Sequence, residues 1–262
     1  MNNKTPIICL IILLSLLIFI LVMFLIINLT GGKGGIINSG SKSDKIIYDK
    51  TFNLEEIKNI EVKQDAGDIT FKETLDNNIT IRAYGEETSD IEVSLNGDKL
   101  IVDYTKRNRF IFFNFGNIKN DIIISIPSSY SNTIKVNNNL GNSYINDLPD
   151  ATINIDCDAG NVEAGKIKNA NIKCDLGQVQ IKEILNKCDI KVDSGNVEIE
   201  KLLINENSKI KADLGNIDIK ETNDIYIEAN VDLGKASINA NNRNSEITLQ
   251  LECDCGNISV GK

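Results

Sequence analysis

The chain has 262 residues and a formal charge of −9, with no His, no Trp and an aromatic content of 5%. Without an imidazole, Ser-His-Asp and Cys-His nucleophiles and His-ligated zinc or haem are excluded, and the acidic balance argues against nucleic acid as a partner. An apolar fraction of 42% is enough for a folded core.

Ile7 to Leu29 is an uncharged apolar run of 23 residues. At a helical rise of about 1.5 Å per residue it reaches about 34 Å, enough to cross a bilayer core. The run exceeds a secretory h-region and exits through Asn28-Leu29-Thr30-Gly31-Gly32 with no clear small-x-small cleavage site. Residues 1–30 therefore read as an uncleaved transmembrane signal-anchor, with the cell membrane as partner through residues 7–29. The acidic body behind a short N-terminus fits a single-pass protein whose C-terminal domain is extracytoplasmic, although Lys4 before the run and Lys33, Lys42 and Lys45 after it leave the positive-inside count divided. Cys9 opens the apolar run, whereas a lipidation cysteine follows it. Residues 31–45, rich in Gly and Ser, read as a flexible tether.

From residue 46 the chain is strand-rich, with runs such as Ile79–Ala83, Leu100–Tyr104 and Ile122–Pro127. The only helical pattern is a turn or two over Asn53–Asn59. Between the last two of those strand runs lies Lys106-Arg107-Asn108-Arg109-Phe110-Ile111-Phe112-Phe113-Asn114-Phe115, which holds four of the eight Phe. Alternation puts Phe110 and Phe112 on one face, and Ile111, Phe113 and Phe115 on the other. The segment reads either as a strand covering the open end of the fold or, through Arg107, Arg109, Phe110, Phe112, Phe113 and Phe115, as a basic-aromatic contact patch for a membrane surface or partner protein.

A pattern Asp-x-Gly-Asn-(Val/Ile) then recurs, at Asp158–Val162, Asp193–Val197, Asp213–Ile217 and Asp254–Ile258, with looser copies at Asp65–Ile69, Asn139–Ser143, Asp175–Val179 and Asp232–Ala236. From Gly141 onward its glycines are 19, 17, 18, 20, 19 and 22 residues apart. Five residues before each glycine the side chain is apolar, as at Val62, Ile155, Ile190 and Leu251, and the next is polar. Two and four residues after it, apolar positions recur in most copies, as at Val179 and Ile181. Such alternation on both flanks means two short strands, each with one buried face, joined by a Gly turn. A side-chain register that returns every coil is what a solenoid needs, since each coil must present the same inward positions to its neighbour. The expected fold is all-β: a parallel β-solenoid of coils of about nineteen residues over 46–262, preceded by one transmembrane helix, with rungs about 4.8 Å apart. The 45–129 stretch is expected to form a less regular cap on the same stack.

The repeated Asp has two readings, an Asx-type turn residue, which Asn139 can replace, or a row of Ca²⁺ ligands. Cys157, Cys174 and Cys253 stand three residues before a repeat glycine and Cys188 seven before, all inward positions. They read as buried free thiols or, for Cys157 and Cys174 on adjacent coils, as a disulfide. The spacing of Cys253 and Cys255 leaves their relative direction undetermined. No catalytic, cofactor-binding or metal-binding residue is expected.

With its Gly-Asn-(Val/Ile) repeats, with Ile122–Pro127 leading into Thr133-Ile134-Lys135-Val136, and with the Phe112–Gly116 segment before them, the body resembles the bacterial putative-adhesin domain family of cell-envelope proteins over about residues 46–262. A membrane anchor followed by this domain is similar to the Lia-type envelope-stress accessory proteins of Gram-positive bacteria. The resemblance implies an adhesin-like module with no transferable catalytic residues. The expectation is a non-enzymatic, membrane-anchored binding or scaffold module whose partner is an envelope protein or cell-wall polymer. A β-helix enzyme acting on polysaccharide is the alternative, and it would need acidic residues gathered in one cleft with long loop insertions.

Overall fold

The structure is a computed structural model that describes residues 45–85, 91–105, 120–239 and 241–261. The anchor expected over 7–29 lies outside them, as does the tether except for Lys45. The described body is all-β, with only a single 3-10 turn at Leu54–Glu56, capped by Asn53 whose side chain accepts from Glu55 N at 3.2 Å. Its first strands are β1 (Ile46–Asn53), β2 (Asn59–Ala66), β3 (Ile69–Thr74), β4 (Asn78–Tyr84), β5 (Glu92–Asn96), β6 (Lys99–Tyr104) and β7 (Ile122–Pro127). There follow β8 (Thr133–Leu140), β9 (Ser143–Ile145), β10 (Leu148–Ala159), β11 (Val162–Leu176) and β12 (Val179–Ser194). The last are β13 (Val197–Leu202), β14 (Ser208–Leu214), β15 (Ile217–Thr222), β16 (Tyr226–Ile238) and β17 (Thr248–Val260).

Two parallel ladders organise these strands. The segments before the turn glycines pair in the spatial order β6, β2, β8, β10, β11, β12, β14, β17, β16. The segments after the glycines pair as β7, β3, β9, β11, β12, β13, β15, β17, β16. Equivalent residues of successive repeats sit opposite one another, for example Ile155 with Ile172 and Ile172 with Ile190. Alternation sends those side chains into one continuous interior, where Val62, Val136, Ile190, Ile210 and their equivalents across the turn, Val162, Val179, Val197 and Ile217, are fully buried. That common interior removes apolar area from water at about 25 cal/mol per Å², and it is the main force joining rung to rung.

The structure departs from the sequence expectation in two places. First, the repeat built on Gly67 is a regular rung stacked directly on that of Gly141. The irregular cap lies beyond it, where β4 pairs antiparallel with β7, β1 with β4, and β5 with β6. Second, spatial order is not chain order at the C-terminal end, because β17 lies between β14/β15 and β16. The residues account for the exchange. The Gly234 copy places Ala229, Val231 and Ala236 at inward columns, while the Gly256 copy places Leu251, Cys253 and Ile258 there. The more apolar copy takes the site with neighbours on both sides, and the smaller one closes the stack. As the last strand, β16 carries Glu228, Asp232 and Lys235, charges that discourage further edge pairing.

Candidate functional site

The turn glycines form a column. Those at 67, 141, 160, 177, 195, 215, 256 and 234 all have positive φ, from +128° to +154°, a region that side chains disfavour. A Cβ on Gly177 would also overlap the carbonyl of Gly160, and one on Gly195 that of Gly177. Where the residue after the glycine is Asn, its side chain supplies a polar link between rungs. Asn142 Oδ1 accepts from Asn161 N at 3.0 Å, Asn161 Oδ1 from Gln178 N at 3.0 Å, Asn196 Oδ1 from Asn216 N at 2.9 Å, and Asn216 Oδ1 from Asn257 N at 2.9 Å.

This shifts the side-chain chemistry of the corner from the Asp of the repeat to its Asn. The Asp residues instead pair with a row of lysines two positions earlier: Lys173 with Asp175 at 2.9 Å, Lys191 with Asp193 at 2.6 Å and Lys211 with Asp213 at 2.7 Å. Lys191 holds the Asp193 carboxyl below its ordinary range. Among the described residues no three His, Cys, Asp or Glu side chains are grouped to hold a metal ion.

Five cysteines are described, and all are free. Cys157 and Cys174 face each other on adjacent rungs, both inside the corner, with Sγ at 3.7 and 3.5 Å from the Gly160 carbonyl oxygen. Their mutual hydrogen bond and burial drive the Cys157 thiol well above its usual range. Burial pushes Cys188 up to about 12. Cys253 points inward and Cys255 outward, so this spacing places the two thiols on opposite faces.

The outer face of the second ladder carries an open groove of about 450 Å³. Its wall is built from successive rungs: Tyr144, Glu163, Gln180 and Glu198 follow one another in register, with Asp147 and Lys182 alongside. Gly165 lies in its lining. A Cβ there would overlap Asp147 Oδ1, which accepts from Lys166 N at 2.8 Å, so the chain at Asn146–Asp147 can lie flat across the rung only over a glycine. Partial burial raises the Tyr144 hydroxyl pKa, and the nearby Asp68 and Glu163 carboxylates add to the rise. Glu198 receives Lys220 Nζ at 2.7 Å and Gln180 Nε2 at 3.5 Å, and the lysine holds its carboxyl below the ordinary range. A carboxyl so shifted is ionised at neutral pH and is unsuited to the proton-donor role that glycoside hydrolysis requires. An aromatic ring among carboxylates, an amide and an ammonium can instead stack on and hydrogen-bond an extended hydroxyl-rich or cationic ligand.

The basic-aromatic residues Arg107, Arg109, Phe110, Phe112, Phe113 and Phe115 lie outside the described residues. Of their described flanks, Thr105 is half-buried with Tyr104 buried before it, and Asn120 is buried; the Asn120 carbonyl accepts from Gln64 Nε2 beside the Gly67 turn. The groove residues were not singled out from the sequence. The available signal was Gly165, a glycine out of step with the repeat.

Solved structures similar to the chain include a putative cell adhesion protein from Clostridium sporogenes (13% identity over 83% of this chain and 99% of that one, TM-score 0.38), a putative adhesin from Parabacteroides distasonis (12%, 84% and 99%, 0.40) and a putative lipid binding protein from the same species (13%, 84% and 98%, 0.41). A search of curated proteins found no match. The sequence profile of one family matches residues 57–262, nearly the whole described body, and the chain therefore belongs to the Toastrack DUF4097 family.

Proposed function

We propose that the chain is an adhesin-like binding module: a β-solenoid with coils of about nineteen residues, held at the cell membrane by residues 7–29, its body extracytoplasmic. The groove on the second ladder is its contact site for an envelope protein or a cell-wall polymer. One observation carries this reading. In-register stacking lays Tyr144, Glu163, Gln180 and Glu198 in a row across successive rungs, an extended polar trough matched to an extended ligand rather than to a small substrate. The basic-aromatic segment from Arg107 to Phe115 supplies a second contact, and an accessory role in the envelope-stress response rests on the sequence resemblance alone.

Co-sedimentation of the detergent-solubilised full chain with isolated peptidoglycan sacculi tests the site. Binding that falls about tenfold in Tyr144→Ala with Glu198→Gln supports it; equal binding of wild type and variant moves the contact elsewhere. Protease treatment of intact cells tests the location, and a body protected until lysis overturns it.

A further inference from the structure

The residue just before each turn glycine forms an outward row at the corner between the ladders. Unlike the polar rows beside it, this one is mostly apolar. Leu140, Leu176, Leu214 and Leu233 are 55% to 69% exposed. In the register of the first ladder they alternate strictly with small residues, in the order Ala66, Leu140, Ala159, Leu176, then Ser194, Leu214, Cys255, Leu233. Leucines thus recur every second rung, about 9.6 Å apart, along a ridge of seven steps or about 34 Å. Single exposed leucines need no explanation, but a continuous apolar strip does.

The alternation specifies what covers it. An eight-membered row of large and small residues, laid antiparallel on a copy of itself with full overlap, sets every leucine against a small residue. Leu233 meets Ala66, Leu140 meets Cys255, Leu214 meets Ala159 and Leu176 meets Ser194. The same row laid parallel in register sets leucine against leucine. The antiparallel match is a two-fold, self-complementary contact of the type most homodimers use. The charged row beside the ridge is compatible with it: Lys173, Lys191 and Lys211 of one copy stand at the rungs facing Asp193, Asp175 and Asp158 of the other. Toward the ends Asp65 and Asp232 face each other, a local repulsion that salt relieves.

We infer that this chain self-associates side by side and antiparallel through the leucine ridge, with its two-fold axis between the rungs of Leu176 and Ser194. A strip one side chain wide lies at the low end of interface sizes, so the dimer is weak and depends on local concentration.

Disulfide trapping in the detergent-solubilised full chain, with Cys9→Ser and Cys255→Ser as background, provides the test. Ser194→Cys lies one rung from its symmetry mate and should give a covalent dimer on mild oxidation. With Cys255 restored and Ser194 intact, no dimer should form, since the two Cys255 residues would lie about five rungs apart. Leu176→Asp or Leu214→Lys should slow Ser194→Cys trapping at least about tenfold, while Leu75→Asp, more exposed still but off the ridge, should not. Trapping through Cys255, absence of trapping through Ser194→Cys, or indifference to both ridge variants overturns the inference. Circular dichroism of each variant checks that the fold is retained.

Discussion

The two ends of the body use opposite means to hold strands together. From β8 to β17 each rung repeats its neighbour, and specificity comes from columns of identical positions: glycine at the turn, Asn after it, Ile or Val inside. At the N-terminal end β1, β4, β5, β6 and β7 form antiparallel pairs, with a single ion pair between Arg82 of β4 and Asp49 of β1 at 2.9 Å, and the Gly67 rung that adjoins them carries unrepeated contacts of its own. Tyr130 Oη donates to the carbonyl of Lys58 or Thr133, at 2.8 and 3.0 Å, and Glu61, nearly buried, sits among Lys99 at 2.5 Å and Lys63 and Lys135 at 3.8 Å. A column tolerates little change at any member, because each residue is packed by two copies of itself. A cap tolerates change wherever its few specific contacts are not touched.

Glycine substitutions should break this comparison most sharply. Gly195→Val combines a positive φ of +150° with a Cβ that overlaps the Gly177 carbonyl. It should cost more than about 4 kcal/mol and abolish cooperative folding. Gly97→Ala sits in the β5–β6 hairpin at φ +63° with open space around its missing Cβ and should cost only about 1 kcal/mol. Urea unfolding followed by circular dichroism measures both. Equal costs would mean that the column is not what holds the corner.

That contrast also explains what the sequence made legible. Alternation around the glycine states which side chains face inward, so the buried columns at Val62, Ile190 and Val197 and the buried thiols Cys157, Cys174, Cys188 and Cys253 could be read from spacing. Alternation is silent about direction and partner. Ile79–Ala83 alternates in the same way whether its neighbour runs parallel or antiparallel, so the antiparallel cap was not legible. Nor was the exchange of β16 and β17, since any coil of this register can stack on any other. Its trace was the small residues Ala229 and Ala236, in register with the buried Leu251 and Ile258. The groove needs four rungs side by side, and no single repeat contains it.

Acid should probe the Gly67 rung where it meets β6 of the cap. Lys99, the nearest partner of Glu61, holds its carboxyl below the ordinary glutamate range, with Lys63 and Lys135 adding to the effect. A depressed folded-state pKa contributes stability that is full above the unfolded value and disappears as pH falls through the folded one. Stability should therefore decline below the ordinary carboxylate range, and Glu61→Gln should flatten that decline while lowering neutral-pH stability by about 1.5–3 kcal/mol, the worth of a hydrogen bond to a charged group. An unchanged pH profile in the variant would remove Glu61 from the account of that junction.

The smallest expected effect separates the two side chains of the repeat that could organise its turn. If Asp193 acted as an Asx-turn residue, Asp193→Ala would disturb the corner as much as Asn196→Ala. In the structure the Asn196 amide oxygen accepts the backbone N–H of Asn216 on the next rung, and its loss should cost about 1 kcal/mol. Asp193 is bonded to the side chain of Lys191 at 2.6 Å, on a solvated face. Exposed ion pairs of this kind contribute little and are screened by salt. Asp193→Ala should therefore leave the urea midpoint unchanged within error at physiological ionic strength, and Asn196→Ala should lower it. The lysine row explains why an acid recurs at that position without any turn role: each Asp of the central rungs lies between lysines of its own and adjacent coils, and removing one leaves the others to share the charge.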